Sequence, residues 1–320
     1  MIRSRIVSAG GYLPADVVSN DELARRYGLD TSDEWIRERS GISQRHLAAP
    51  GESCSSMGAA AARQALERAG VAAGEIDAVI VATATPDSSF PATAVRIQAA
   101  LGITRGFAFD VTAACTGFVY ALSVADAMLR AGHARCALVI GAETYSRILD
   151  WTDRGSCVLF GDGAGAVVVR AEEGEAGILS THLHADGSYA DILHVEGGPG
   201  TTGGAGLLRM AGREVFKHAV TKLTAVVDEA LLANGLRRED ISWLVPHQAN
   251  IRIIDAMGKK LGLPPERVVV TVDRHANTSA ASIPLAMADA VGADKFRPGD
   301  LVLLEAIGGG LTWGSALARW

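Results

Sequence analysis

The chain has 320 residues, 48% of them hydrophobic, and a mean hydropathy of +0.19, enough for a substantial core in one large domain or two ordinary ones. Its net charge of −6 and pI near 5.8 argue against nonspecific nucleic-acid binding. The four cysteines (Cys54, Cys115, Cys136, Cys157) contain no C-x-x-C pair, which argues against a disulfide scaffold or structural zinc and for a reducing cytoplasm.

In chain order, "MIRSRIVSAGGYLP" holds too short an apolar stretch for a signal sequence. No run of about 18 uncharged apolar residues follows, so the expectation is a soluble protein without a membrane partner. Ser19-x-x-Glu22 and Thr31-x-x-Glu34 read as capping boxes that open two helices, and Trp35 and Arg39 share one face of the second. Continuous apolar runs at 78–82, 137–140, 166–169, 268–272 and 301–304 predict strands buried on both faces. Residues 116–131 and 279–291 are apolar almost all round and predict helices lying between layers or at a subunit contact.

These elements repeat. "ALERAGVAAGEIDAVIVATAT" (65–85) and "ALLANGLRREDISWLVPHQAN" (230–250) share one plan, with Gly70 and Gly235 separated by 165 residues. Asp110 and Asp273, each read as ending a strand before a small-residue turn and an apolar helix, are 163 apart. "ARCALVIGAE" and "GDLVLLEAIG" match at nearly the same offset. Constant spacing implies a duplicated α/β unit, with halves 1–174 and 175–320 meeting at "EEGEAG".

Within "FDVTAACTGFVYALSVA", Cys115 stands at the N-terminus of the predicted helix 116–131. Free backbone N–H groups and the helix dipole favour an anion there, and a thiol whose pKa falls from about 8.5 to about 7 is roughly half ionised at neutrality. A buried core cysteine is the competing reading. His247 in "VPHQAN" and Asn277 in "HANTSAAS" occupy corresponding strand ends of the second half, so the repeat brings all three to one edge.

Together with "SGISQRH", "DWTDRG", "FGDGAGAVVV", "STHLHADGS", "WLVPHQAN", "DRHANTSAAS" and "GGGLTWGSAL", these motifs span nearly the whole chain. The sequence closely resembles the β-ketoacyl-acyl-carrier-protein synthase III family of the thiolase superfamily. The resemblance implies a five-layered αβαβα fold of two duplicated halves, a homodimer, and a Cys115–His247–Asn277 active site. It implies condensation of an acyl-CoA primer with malonyl-acyl carrier protein through a Cys-bound acyl group, releasing CoA and CO2. Acyl-CoA is then a substrate, and no cofactor or metal is implied.

The resemblance also assigns supporting residues. The backbone N–H groups of Cys115 and Gly309 would form an oxyanion hole. Thr31, Trp35, Arg39 and Arg154 would hold the CoA adenine, and Gly212, Phe216, Ala249 and Asn250 the pantetheine. Phe90 and Ile307 would bound the acyl pocket. Lys217, Arg252, Lys259 and Lys260 form a basic set suited to an acidic carrier protein. Phe90 suggests a short primer such as acetyl-CoA, but Ile307 and Leu311 stand where relatives often carry phenylalanine, and Ala276 stands where glycine is usual. A specialised-metabolism paralogue with another primer or acceptor, and more remotely a cysteine-dependent thioesterase, are the rivals. A degradative thiolase would want a second late cysteine, and elongating ketosynthases a second histidine in place of Asn277.

Three further features are read as inert. "GDGAG" (161–165) leads into a strand rather than a helix, so no dinucleotide site follows. His182 and His184 are taken to face opposite sides of a strand, which argues against a shared metal. "EGGPGTTGGAG" (196–206) reads as a flexible loop.

Overall fold

A computed structural model describes residues 1–320. Five strands, in spatial order Ile2–Tyr12, Gly163–Glu173, Cys136–Glu143, Ala78–Ala82 and Phe107–Val111, make one mixed sheet. Four more, Trp243–Pro246, Leu301–Gly308, Thr312–Arg319 and Gly177–Ala185, make a second. Between the sheets lie the helices Gly117–Arg130 and Ser282–Gly292, and one core cluster joins them to the inner faces of both sheets. Cys54–Ala69 covers the outer face of the first sheet, and Gly212–Ala233 with Ile251–Leu261 covers that of the second. The result is five layers, helix, sheet, helices, sheet, helices, the thiolase-like αβαβα arrangement.

The expected run at 268–272 is not a strand. Val268 forms one parallel bridge with Leu244, after which Val272–His275 turns into a short helix. The cause is Gln248, whose buried amide stands in for a neighbouring strand: Oε1 accepts from the N–H groups of Thr271 (2.8 Å) and Val272 (3.1 Å), and Nε2 donates to the Val269 carbonyl (3.0 Å). Asp273 therefore belongs to a helix, whereas Asp110 lies in its strand and caps the helix Thr93–Ala100 through the N–H groups of Thr93 and Ala94.

Ser19 caps its helix as expected, accepting from the Glu22 N–H. The next helix, Asp33–Ser40, is capped by Ser32 and not Thr31, with Ser32 Oγ accepting from the Trp35 N–H at 3.1 Å. The glycine-rich 196–206 segment is the turn of a hairpin between Leu193–Gly198 and Gly204–Met210, clamped by Arg209 to Glu196 (3.0 Å) and Asp150 (2.9 Å). His182 and His184 share a face, as residues two apart on a strand must, and both reach Glu229, at 3.2 and 2.6 Å. No group of three or more His, Cys, Asp or Glu side chains is arranged to hold a metal ion.

Candidate active site

Cys115 sits in the single helical turn Ala114–Thr116, immediately before the helix Gly117–Arg130. Ala114 adopts φ 45°, a left-handed conformation that steers the chain sharply from strand to helix. The turn is pinned to the far sheet: Thr116 Oγ1 donates to the Thr312 carbonyl (2.9 Å), and Thr312 Oγ1 donates to the Ala113 carbonyl (3.1 Å). Gly308 is obligatory at this crossing, since a Cβ there would lie 2.7 Å from the Cys115 backbone nitrogen. Gly309 follows directly in the turn after the strand, its N–H free of any loop or turn carbonyl, and Ile307 is buried near the end of that strand.

His247 follows the strand Trp243–Pro246, its N–H held by the Glu305 carbonyl at 2.8 Å. Its Nδ1 meets Ser282 Oγ at 2.7 Å, and that oxygen also accepts from the Gln248 N–H. The hydroxyl proton is thereby directed to Nδ1, which leaves the ring proton on Nε2. Burial pulls the His247 pKa down to about 3, so the ring is a neutral donor at pH 7.

Asn277 pairs with the 159–161 segment, donating its N–H to the Leu159 carbonyl and accepting from the Gly161 N–H. Its side-chain oxygen takes the Ser279 N–H at 2.8 Å, so the amide NH2 is the group left to face a reactant. Ser279 in turn donates its hydroxyl to Tyr145 Oη at 3.0 Å. One short segment, 277–282, therefore bears on all three expected residues: it contains Asn277, packs against the turn Ala114–Thr116 that carries Cys115 and orients His247 through Ser282.

Burial pushes the Cys115 thiol up to about 12. Two carboxyls share this interior. Burial raises Glu143 to about 7, with hydrogen bonds from the Thr85 hydroxyl and the Ala84 N–H holding it back. Glu305 rises to about 8, and neither of its oxygens has a hydrogen-bond partner. Sequence reading missed Glu143, Glu305, Ser279, Ser282 and Tyr145; a charged residue inside an otherwise apolar run was the available signal for the two glutamates.

Farther out, the Trp35 ring is flanked by the guanidinium groups of Arg39 (4.5 Å) and Arg154 (4.8 Å). Thr31, relieved of capping, has a buried Oγ1 with no partner. Asn250 caps the helix Ile251–Leu261 through the Arg252 N–H and donates Nδ2 to the Arg39 carbonyl, tying this helix to the Trp35 helix. Ala249 is half-buried between His247 and Asn250. Gly212 begins the helix that carries Phe216, over whose ring Arg252 lies at 5.3 Å. Lys217, Arg252, Lys259 and Lys260 are exposed, the last three on one helix with Arg252 in its first turn and the lysines in its last. Phe90 does not line this site in its own chain: it is 85% exposed on a surface loop.

Two family models match the chain, 3-oxoacyl-(acyl-carrier-protein) synthase III over residues 109–187 and the C-terminal domain of the same synthase over 231–320. The chain belongs to this family. It is 65% identical to the beta-ketoacyl-(acyl-carrier-protein) synthase III of Acidiphilium cryptum (strain JF-5), over 100% of both chains. Identity is 64% with the enzyme of the same name from Rhodospirillum centenum, covering 100% of this chain and 99% of that one. The crystal structure of 3-oxoacyl-(acyl-carrier-protein) synthase III from Aquifex aeolicus superposes with a TM-score of 0.94 at 46% identity, covering 99% of this chain and 100% of that one. The chain is accordingly a condensing acyltransferase that joins an acyl-CoA to malonyl-acyl carrier protein with loss of CO2 and initiates fatty acid synthesis.

Proposed function

We propose that Cys115 is the acyl-carrying nucleophile, with acetyl-CoA as the primer. Thioester exchange onto a thiol keeps the acyl group activated, which an oxygen ester would not. The N–H groups of Cys115 and Gly309 stabilise the tetrahedral oxyanion. After decarboxylation of the malonyl group, His247 Nε2–H and the Asn277 amide donate to the enolate oxygen, each such donor being worth about 3–4 kcal/mol on the barrier. The CoA adenine is held by Thr31, Trp35, Arg39 and Arg154, and the pantetheine arm descends past Gly212, Phe216, Ala249 and Asn250.

The observation that supports this reading is the single segment 277–282, which contains Asn277, orients His247 through Ser282 and packs against the turn that carries Cys115. Phe90, exposed here, closes an acyl pocket only if a second copy of the chain supplies it, which fits a homodimer. Lys217, Arg252, Lys259 and Lys260 dock the acidic carrier. The enzyme works in the cytoplasm on CoA and carrier substrates, without nucleic acid, membrane, cofactor or metal, and its halves 1–174 and 175–320 are the two copies of the duplicated unit.

The test is intact-protein mass spectrometry after incubation with acetyl-, isobutyryl-, butyryl- and octanoyl-CoA in turn, with peptide mapping. An adduct on Cys115 from the short donors is expected. An adduct from octanoyl-CoA alone would assign a specialised primer, because Ile307 leaves space that a phenylalanine would fill. No adduct, with release of free acid, would indicate hydrolysis.

A further inference from the structure

The loop between the strand Ala78–Ala82 and the helix Thr93–Ala100 carries Phe90, the most exposed of the large hydrophobic side chains. Connecting loops are ordinarily the mobile parts of a fold. This one is fastened along most of its length. At its start, Thr85 Oγ1 donates to the buried carboxyl of Glu143 (2.5 Å) and accepts from the Thr144 N–H (2.9 Å), and the Thr85 carbonyl accepts from the Cys54 thiol (2.9 Å). At its end, Asp110 takes the N–H groups of Thr93 and Ala94.

Between these stems stands Asp87. Its Oδ1 accepts from the Ser55 N–H (2.9 Å), and its Oδ2 from the hydroxyls of Ser55 (2.5 Å) and Ser53 (3.0 Å). Ser53 is the N-cap of the helix Cys54–Ala69, so the carboxylate is seated on that helix's N-terminus, where free N–H groups and the dipole hold an anion. The helix is itself bedded against the first sheet in a continuous apolar core. The loop is thereby tied to the frame of the molecule.

Only Ser88 and Ser89 separate this anchor from Phe90, a reach of no more than about 11 Å when fully extended. Ser88 is tied in as well, its hydroxyl donating to the Pro91 carbonyl (3.3 Å) and accepting from Arg96 (3.3 Å). Nothing in its own chain needs a ring there, since Phe90 belongs to none of the three core clusters. The bracing serves what the ring meets outside.

We propose that Asp87 is a positioning residue for primer choice: by fixing the loop to the helix Cys54–Ala69 it sets how deeply Phe90 enters the acyl pocket of a second copy of the chain, and so the longest primer that pocket accepts. The proposal rests on the reading above that Phe90 closes the pocket from the second copy. One methylene in an apolar pocket is worth about 10–200-fold in specificity, and excluding the longer chain requires a wall that cannot retreat. A ring on a slack loop moves aside and admits that chain. Phe90 supplies the shape and Asp87 the stiffness. Glu143 braces the same loop from the interior at Thr85, but it is fully buried, which leaves exposed Asp87 as the brace that can be removed by itself.

The test is single-turnover acylation of Cys115 by acetyl- and butyryl-CoA in the full-length enzyme, for wild type, Phe90→Ala, Asp87→Ala, Asp87→Asn and Ser55→Ala, with thermal unfolding of each. Asp87→Ala is expected to raise the butyryl-to-acetyl rate ratio about five- to tenfold while the acetyl rate changes less than about twofold. Asp87→Asn, which keeps an acceptor for the Ser55 N–H, should stay close to the wild-type ratio, and Ser55→Ala should shift it in the same direction by a smaller factor. If Phe90→Ala raises the ratio but Asp87→Ala leaves it unchanged, or slows both donors equally, the anchor only stabilises the loop and the proposal is overturned. An unchanged ratio in Phe90→Ala instead overturns the reading that Phe90 closes the pocket, and the proposal with it. Should Asp87→Ala unfold, the presence or absence of the shift in Ser55→Ala decides in its place.

Discussion

At Asn277 the side-chain oxygen is engaged by the Ser279 N–H, so in the proposed mechanism the amide NH2 alone can face the enolate. Asn277→Asp turns that donor into an anion. It is expected to slow malonyl decarboxylation and condensation by about 10²–10³-fold while acylation of Cys115 changes only a few-fold; equal loss in both half-reactions of a folded variant would refute the role. Its neighbour Ala276 holds φ 57° and ψ −162°, a region open almost solely to glycine and costing about 1–3 kcal/mol for other residues. Ala276→Gly should therefore stabilise the protein by about 1 kcal/mol net of the glycine's greater unfolded-state freedom, read from urea unfolding. Cys115, His247 and Asn277 could be nominated from the sequence because their residue types are rare in apolar surroundings and fall at repeat-related positions. Ser279 and Ser282 were not, since a serine in an alanine-rich turn carries no pattern until the chain is folded around it.

Secondary-structure elements buried on both faces were read well, because unbroken apolar runs have few alternatives; 78–82 is reproduced residue for residue. Two of the failures share a cause, a side chain replacing a backbone partner or cap. Gln248 displaces a strand at 268–272, and Ser32 takes the cap expected of Thr31. The helix Ile251–Leu261 carries Arg252, Lys259 and Lys260, with the two lysines roughly 10 Å along the axis from Arg252 at 1.5 Å per residue. Replacing both lysines with glutamate is expected to raise KM for the malonyl carrier protein about tenfold at low salt, with the difference shrinking as ionic strength rises and acylation from CoA unchanged. A salt-independent effect would place the carrier elsewhere.

For the molecule as a whole, buried ionisable groups set opposing limits on stability. Glu305 and Glu143 have folded pKa values of about 8 and 7 against 4.5 for an ordinary glutamate, so the folded state binds more protons and stability falls as pH rises through that window. His247 and His275, lowered from 6.5 to about 3 and 4, act oppositely and cost stability as pH falls below 6.5. Above pH 6.5 only the carboxyls remain active. The melting temperature should therefore decline by a few degrees, to order of magnitude, between about pH 6.5 and pH 8, and Glu305→Gln should flatten the decline; an unchanged slope would show that Glu305 is not its source.

The close approaches at Gly141 and Gly165 also bear on how the protein is made. At Gly165 a Cβ would lie 2.5 Å from the Leu285 nitrogen, so the first sheet is shaped around a segment translated more than a hundred residues later. At about 5–20 residues per second, a ribosome that has finished the strand Gly163–Glu173 needs roughly ten seconds to deliver the helix Ser282–Gly292. During that interval the inner face of the nascent sheet has only the helix Gly117–Arg130 of its native helical cover, so the first half cannot close until the second has been made.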